Sequence, residues 1–208
     1  MHTRVVLSVS FFLTFGGMIL LKMTEDFSWL VAFFHSVSAR TAGFSTYPLG
    51  DFHTPGLLVM MALMFIGASP GSTAGGIKTS TFFVLIQGIK SAATNHTEKA
   101  FHYAIPKGAF RKASVITILG GSIVFVCTYL LSILEPQIPL IDLLFESVSA
   151  FGTVGLSTGI TTQLCTASKL LCILVMYIGR LGPLTIFSIW HYSLGERVRY
   201  PEGNISIG

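Results

Sequence analysis

"FESVSAFGTVGLST", Phe145 to Thr158, decides how this chain is read, because "FHSVSARTAGFST", Phe34 to Thr46, repeats it almost residue for residue. Serine, threonine and glycine at that density suit neither a lipid-facing helix nor a dry core. Setting Thr41 on Thr153 and Gly43 on Gly155 fixes an offset of 112 residues. The same offset lays "MFIGASPGST", from Met64, on "MYIGRLGPLT", from Met176, and matches Met, Ile, Gly and Thr. One register that aligns both a polar loop and a later helix break points to internal duplication.

The flanking sequence is that of a membrane protein. Only 11% of the 208 residues are charged, against about a quarter in a soluble domain, and the mean hydropathy is +0.72. Crossing the bilayer core takes about 20 apolar residues. Val5 to Leu21 is one such run; Ser28 to Ala39 is too short to span. Pro55 to Lys90 is long but broken at Ala68 to Thr79, "ASPGSTAGGIKT", by one Pro and three Gly. The second unit repeats the order: Ala113 to Leu134 spans, Leu140 to Ala150 is short, and Leu170 to Leu194 is broken at "GRLGP". The expected fold is an all-α membrane protein of two tandem helix–pore loop–helix repeats, each second helix broken. The expected boundaries are 1–90 for the first repeat, with an intramembrane loop at 68–79, 91–111 for a cytoplasmic loop, 112–195 for the second repeat and 196–208 for a cytoplasmic tail. The N-terminal apolar run lacks the small-residue cleavage site of a signal peptide.

Each repeat returns its outer helices to the correct sides only if the short helix dips in and comes back. Charge agrees: Arg4, Lys90, Lys99, Lys107, Arg111, Lys112, Arg197 and Arg199 fall on one side, against Lys22 and Lys169 on the other. The positive-inside rule then makes the termini and central loop cytoplasmic and brings the dipping loops in from outside. Non-helical backbone at membrane depth is tolerated only where it is buried in protein or lines a wet cavity. Thr-x-Gly after a half-helix lets consecutive carbonyls point one way, because glycine adopts backbone angles other residues avoid. Carbonyls so aimed can replace the hydration shell of a monovalent cation. A re-entrant hairpin that merely plugs a helix bundle is the plain alternative.

"SVSARTAGFST", "IGASPGSTAGGIKTST", "SVSAFGTVGLST" and "IGRLGPLT" together resemble the Trk/Ktr/HKT superfamily of potassium and sodium transporters, most closely its Ktr-type membrane subunit. Members carry four helix–pore loop–helix units around one pore, and the two here resemble the third and fourth. The ending "RYPEGNISIG" resembles the Ktr-type C-terminus, so the resemblance implies a C-terminal half with two further repeats upstream, or pairing with a second copy. It implies a potassium filter built from Thr41, Ala42, Gly43 and Phe44 with Thr153, Val154, Gly155 and Leu156. It also implies a homodimer in the plasma (inner) membrane, no cofactor, potassium or sodium as the transported ion, and a separate cytoplasmic nucleotide-binding regulatory subunit. That subunit would dock on a surface including the Lys90–Lys112 loop. The first filter loop, whose Gly or Ser goes with potassium or sodium preference in the family, is not in this sequence. A sodium-selective or sodium–potassium symporting member, and a non-transporting scaffold fragment, therefore stay open.

The resemblance further places "ASPGSTAGGIKT" as a gating loop just below the filter. Gly71, Gly75 and Gly76 would supply its freedom and Lys78 a supporting charge. Arg180 falls mid-span, where a charge costs a few kcal/mol or more unless it faces water or a partner; the resemblance implies a positive barrier beside the loop. An Arg that clamps helices through an acid is the alternative. Arg40, just before the first Thr-x-Gly, is expected to pair with Glu146 or another pore-helix acid, and His35 is expected to pack rather than ligate. Asp51 and Asp142 read as ordinary loop charges. An enzyme is not expected. "GASPG", Gly67 to Gly71, fits the G-x-S-x-G pattern but lacks the strand before it, and "GSTAGGIKT" has Ile77 where a phosphate-binding loop needs Lys. The net charge of +4 is not gathered with aromatic platforms, which excludes nucleic acid. The three cysteines have no metal-ligand spacing.

Overall fold

The computed structural model describes residues 2–94, 99–100, 103–106 and 108–185. The tail 196–208, the end of the second repeat and part of the central loop (95–98, 101–102 and 107) therefore lie outside the described residues, with Lys107, Arg197 and Arg199. The first unit is α1 (His2–Thr24), α2 (Trp29–Ser38), a 3-10 turn at Leu49–Asp51, α3 (Thr54–Phe65) and α4 (Thr79–Thr94). A two-residue antiparallel ladder, β1 (Lys99–Ala100) on β2 (Tyr103–Ala104), interrupts the central loop. The second unit is α5 (Ala109–Leu134), α6 (Leu140–Gly152), a 3-10 turn at Ile160–Thr162 and α7 (Thr166–Leu181). Adding 112 to the limits of α3 gives 166–177, inside α7. The pore helices instead align at 111, Trp29 on Leu140, so α6 carries one residue more before its threonine than α2 does.

Among the described residues two helices, α1 and α5, are long and apolar enough to cross a membrane alone. At 1.5 Å per residue α3 reaches only about 18 Å, and α4 resumes on the far side of the loop at 66–78. Pro55 sits in the first turn of α3, just after Thr54, where its missing N–H is no loss. The run "IGASPG" ends that helix, because Pro70 removes a donor and glycines weaken what remains. In α7 the helix continues through Gly179, Arg180 and Leu181 and stops at Gly182, whose φ is +89°.

The return of each dipping segment to the side it left is fixed by one contact used twice. Glu25, at the foot of α1, accepts from the backbone N–H of His53 at 2.9 Å and meets its Nδ1 at 3.0 Å. His53 is the N-cap of α3, so α1 ends where α3 begins and the chain between them is a re-entrant hairpin. Glu135, just past α5, likewise accepts from the N–H of Cys165 at 2.6 Å and the hydroxyl of Ser168 at 2.9 Å. Cys165 is the N-cap of α7 and stands 112 residues after His53. A carboxylate at a helix start also meets the positive end of the helix dipole.

Core packing centres on α6, which lies against α3, α5 and α7. Phe145 and Phe151 are fully buried, and Phe151 rests against Phe65 with ring centroids 5.6 Å apart. By contrast α2 packs mainly on α1 and leaves Trp29, Leu30 and Val37 exposed. Where α7 crosses α6 the approach is so close that a Cβ on Gly179 would collide with the Phe151 carbonyl, whereas one on Gly121 meets nothing.

Gly179→Ala is expected to cost about 1–3 kcal/mol by forcing the helices apart, and Gly121→Ala to stay within about 0.5 kcal/mol; thermal unfolding in detergent reads both. The hydrogen bond that His53 donates to Glu25, then the carboxylate's charge, raises the His53 imidazole above 6.5. This contribution is complete below 6.5 and fades as pH rises through the raised value. Melting temperature should fall over that window in the native protein and be flatter in His53→Gln.

Candidate functional site

Each pore helix runs out into backbone that only a special sequence tolerates. Thr41 and Thr153 both have positive φ, +72° and +52°, and so do Gly43 and Gly155, at +79° and +91°. Ala42 and Val154, between them, do not. Alternation of handedness gathers successive N–H groups on one side and sends the carbonyls to the other. A β-branched residue with positive φ is an outlier that stores on the order of 1–3 kcal/mol. Its appearance at the same place in both repeats marks these segments as more than connections.

Hydrogen bonds hold the strained turns. In the second repeat the N–H of Thr153 donates to the Ala150 carbonyl at 3.0 Å and that of Val154 to Ser149 at 3.0 Å, the paired bonds of a Schellman cap. In the first, the N–H groups of Ala42 and Gly43 both reach the Ser38 carbonyl, at 3.0 and 3.1 Å. The Ser38 hydroxyl accepts from the Phe44 N–H at 2.7 Å and donates to the Phe44 carbonyl. The loops meet directly, since a Cβ on Gly43 would run into the Val154 carbonyl. Around Gly155 there is open space. The side chains of Val154 and Leu156 are buried and that of Phe44 is exposed, so main chain faces the space near Gly155.

The break after α3 docks against the second of these loops. The Gly75 N–H donates to Thr153 Oγ1 at 3.0 Å, and a Cβ on Gly75 would lie 2.9 Å from the carbonyls of Phe151 and Gly152. Inside the break, Ile66 and Ile77 form a parallel bridge, with the Ile77 N–H on the Phe65 carbonyl at 3.0 Å. Gly71 and Gly76 have φ of +83° and +70°. The Lys78 ammonium donates to the Ala74 carbonyl at 2.5 Å and to Ser72 at 3.4 Å. Gly76, Lys78, Gly179 and Arg180 line one cavity of about 210 Å³, with Lys78 and Arg180 close enough to feel each other's charge. Of the sequence-derived positions, Gly76, Lys78 and Arg180 thus share one cavity and Gly75 rests on Thr153, while Gly71 stands in open space.

Arg40 departs from expectation. Its guanidinium donates to two carbonyls, Ser10 on α1 and Gly67 in the break, each at 3.2 Å. Glu146 instead accepts from Thr161 Oγ1 at 2.7 Å. The two belong to different repeats, and the Gly67 carbonyl freed by the helix break, with that of Ser10 on α1, serves as acceptor for Arg40 instead. His35 is fully buried and stacks 5.7 Å from Phe27, as a packing residue does, while its Nε2 reaches Thr46 Oγ1 at 3.2 Å. In the 111 register His35 corresponds to Glu146. Each thus ties its pore helix to the segment beyond the Thr-x-Gly, a role the sequence reading missed although the matching "FHSVSA" and "FESVSA" were its signal.

A family model described as "TrkH: Cation transport protein" matches residues 3–192. The Ktr system potassium uptake protein B of Bacillus subtilis is 37% identical, covering 85% of this chain and 40% of that protein. Its namesake from Vibrio alginolyticus is 34% identical over 100% of this chain and 48% of its own length. The potassium/sodium uptake protein NtpJ of Enterococcus hirae is 36% identical, over 100% and 50%. This chain therefore spans about half the length of these relatives. The potassium transporter TrkH from Vibrio parahaemolyticus superposes with a TM-score of 0.71 at 20% identity, over 91% of this chain and 44% of that one; that likeness concerns fold.

Ser38→Ala removes the partner of the Phe44 N–H and is expected to cost about 1–3 kcal/mol. Thermal unfolding of the purified protein checks it.

Proposed function

Since this chain belongs to the TrkH family of cation transport proteins, we propose that it forms half the wall of a path carrying potassium across a cell membrane. The observation that carries the reading is the meeting of two Thr-x-Gly loops of alternating handedness, Gly43 against Val154, with the Gly75 loop docked beneath. Main-chain oxygens of Thr41, Ala42, Gly43 and Phe44, with those of Thr153, Val154, Gly155 and Leu156, would replace water around a dehydrating cation. Such a ring needs no catalytic group; the family is one of cation transporters rather than enzymes.

Below the ring, the loop at 66–78 would obstruct the path and move to open it, with Gly71, Gly75 and Gly76 supplying freedom and Lys78 holding its turn. Arg180 would raise the electrostatic barrier. The exposed face of α2 supports a larger assembly. Its counterpart α6 is covered by α3 of the preceding repeat, and α2 would be covered in the same way by upstream repeats or a second copy. A homodimer in the plasma membrane, cytoplasmic termini and a nucleotide-binding regulatory subunit complete the proposal. A second reading, sodium or mixed sodium–potassium transport, is favoured by the relative named for uptake of both ions.

Ion flux into vesicles holding the full-length protein tests the reading. Arg180→Ala is expected to raise flux by about tenfold or more, as removal of a charge at the constriction should; unchanged flux would remove it as a barrier. Gly155→Ser forces a side chain onto positive φ at a cost of about 1–3 kcal/mol, and should lower the potassium-to-sodium flux ratio by about tenfold. A scaffold would lose stability in these variants without any change in flux.

A further inference from the structure

Arg40 is a half-buried cation that the proposed path does not explain. Among the described residues it has no acidic partner within ion-pair distance, and a lone guanidinium beside a cation route is unfavourable unless its position does something. Its two ends touch different parts of the fold. Nη1 donates to the Ser10 carbonyl on α1, and Nη2 to the Gly67 carbonyl, the second residue of the break. Gly67 in turn backs onto Gly75, since a Cβ on Gly67 would collide with the Gly75 carbonyl. Gly75 donates its N–H to Thr153.

These contacts form a continuous line from the residue before Thr41, through both ends of the loop, to Thr153. The two strained threonines are therefore joined by the very segment expected to move. A planar fork suits the junction, because it can hold two carbonyls in fixed directions at once, whereas an ammonium is a single point donor. From this geometry we infer that Arg40 is a positioning residue that latches the 66–78 loop to the first Thr-x-Gly segment, so that displacement of the loop alters that segment. The inference deepens the proposed transport reading and rests on it for its meaning, though not for its test.

Amide hydrogen exchange on the full-length protein in lipid nanodiscs decides it, using a double-mutant cycle to separate coupling from simple loosening. Gly75→Ala, placed at the far end of the loop from Arg40, crowds Thr153 Oγ1 at 2.8 Å and loosens residues 66–78. With Arg40 present, exchange at residues 41–46 is expected to rise with it by about tenfold, the loss of a charged hydrogen bond. In the Arg40→Gln background the added effect of Gly75→Ala on 41–46 should vanish, while its effect on 66–78 persists. An equal rise at 41–46 in both backgrounds overturns the latch, as does no rise with Arg40 present. Should Arg40→Gln fail to fold, Arg40→Lys keeps the charge but not the fork and is read by the same criterion. Flux in the same preparations separates the two ideas. Wild-type protein that moves no cation sinks the transport reading, whereas exchange alone decides the latch.

Discussion

A carboxylate at the foot of one helix, closed on the first free N–H of another, sets the geometry on which the rest of this fold depends. Glu25 on His53 and Glu135 on Cys165 make the chain leave and re-enter at one level. Without that closure, a ten-residue helix such as α2 would have no fixed depth, since it is too short to span and its apolar faces are alike. With it, each short helix carries its C-terminal end to a set distance from the entry side. Backbone there cannot rely on water, so it is satisfied from within, by Ser38 in one repeat and by the paired cap bonds of Ser149 and Ala150 in the other.

The strain at Thr41 and Thr153 follows from that placement. Glycine at these positions would relax the backbone but supply no hydroxyl, and the Thr153 hydroxyl is the acceptor on which the Gly75 N–H rests. Glycine proper is kept for places where atoms meet, Gly43 beneath the Val154 carbonyl and Gly75 beneath Phe151. Thr153 therefore trades local strain for a contact between elements 78 residues apart.

Sequence pattern carried the architecture well. The offset between the two Thr-x-Gly loops, the lengths of the apolar runs and the clusters of Pro and Gly named the helix order, because those signals come from local chemistry. What it did not carry depends on partners distant in sequence. Arg40 was paired with an acid because only charged partners can be picked out in a sequence; carbonyls exist at every residue, so Ser10 and Gly67 leave no mark. Glu25 and Glu135 carry no mark of their role in the sequence, because a cap supplied from another helix has no fixed spacing. The extra residue before Thr153 was hidden because the alignment was anchored on the loops, not on "FHSVSA" and "FESVSA". The β1–β2 ladder, two residues a side, is too short for any periodicity to show.

The two copies of the duplicated unit also part company at the end of the third helix of each. The first opens its third helix at Ile66, while the second keeps its helix intact for three residues beyond the corresponding Ile178. Of a matched pair of walls, then, one is interrupted where the other runs on. In the proposed path the interrupted wall would supply the part that swings, and the helix that runs on to Leu181 would supply the surface it swings against.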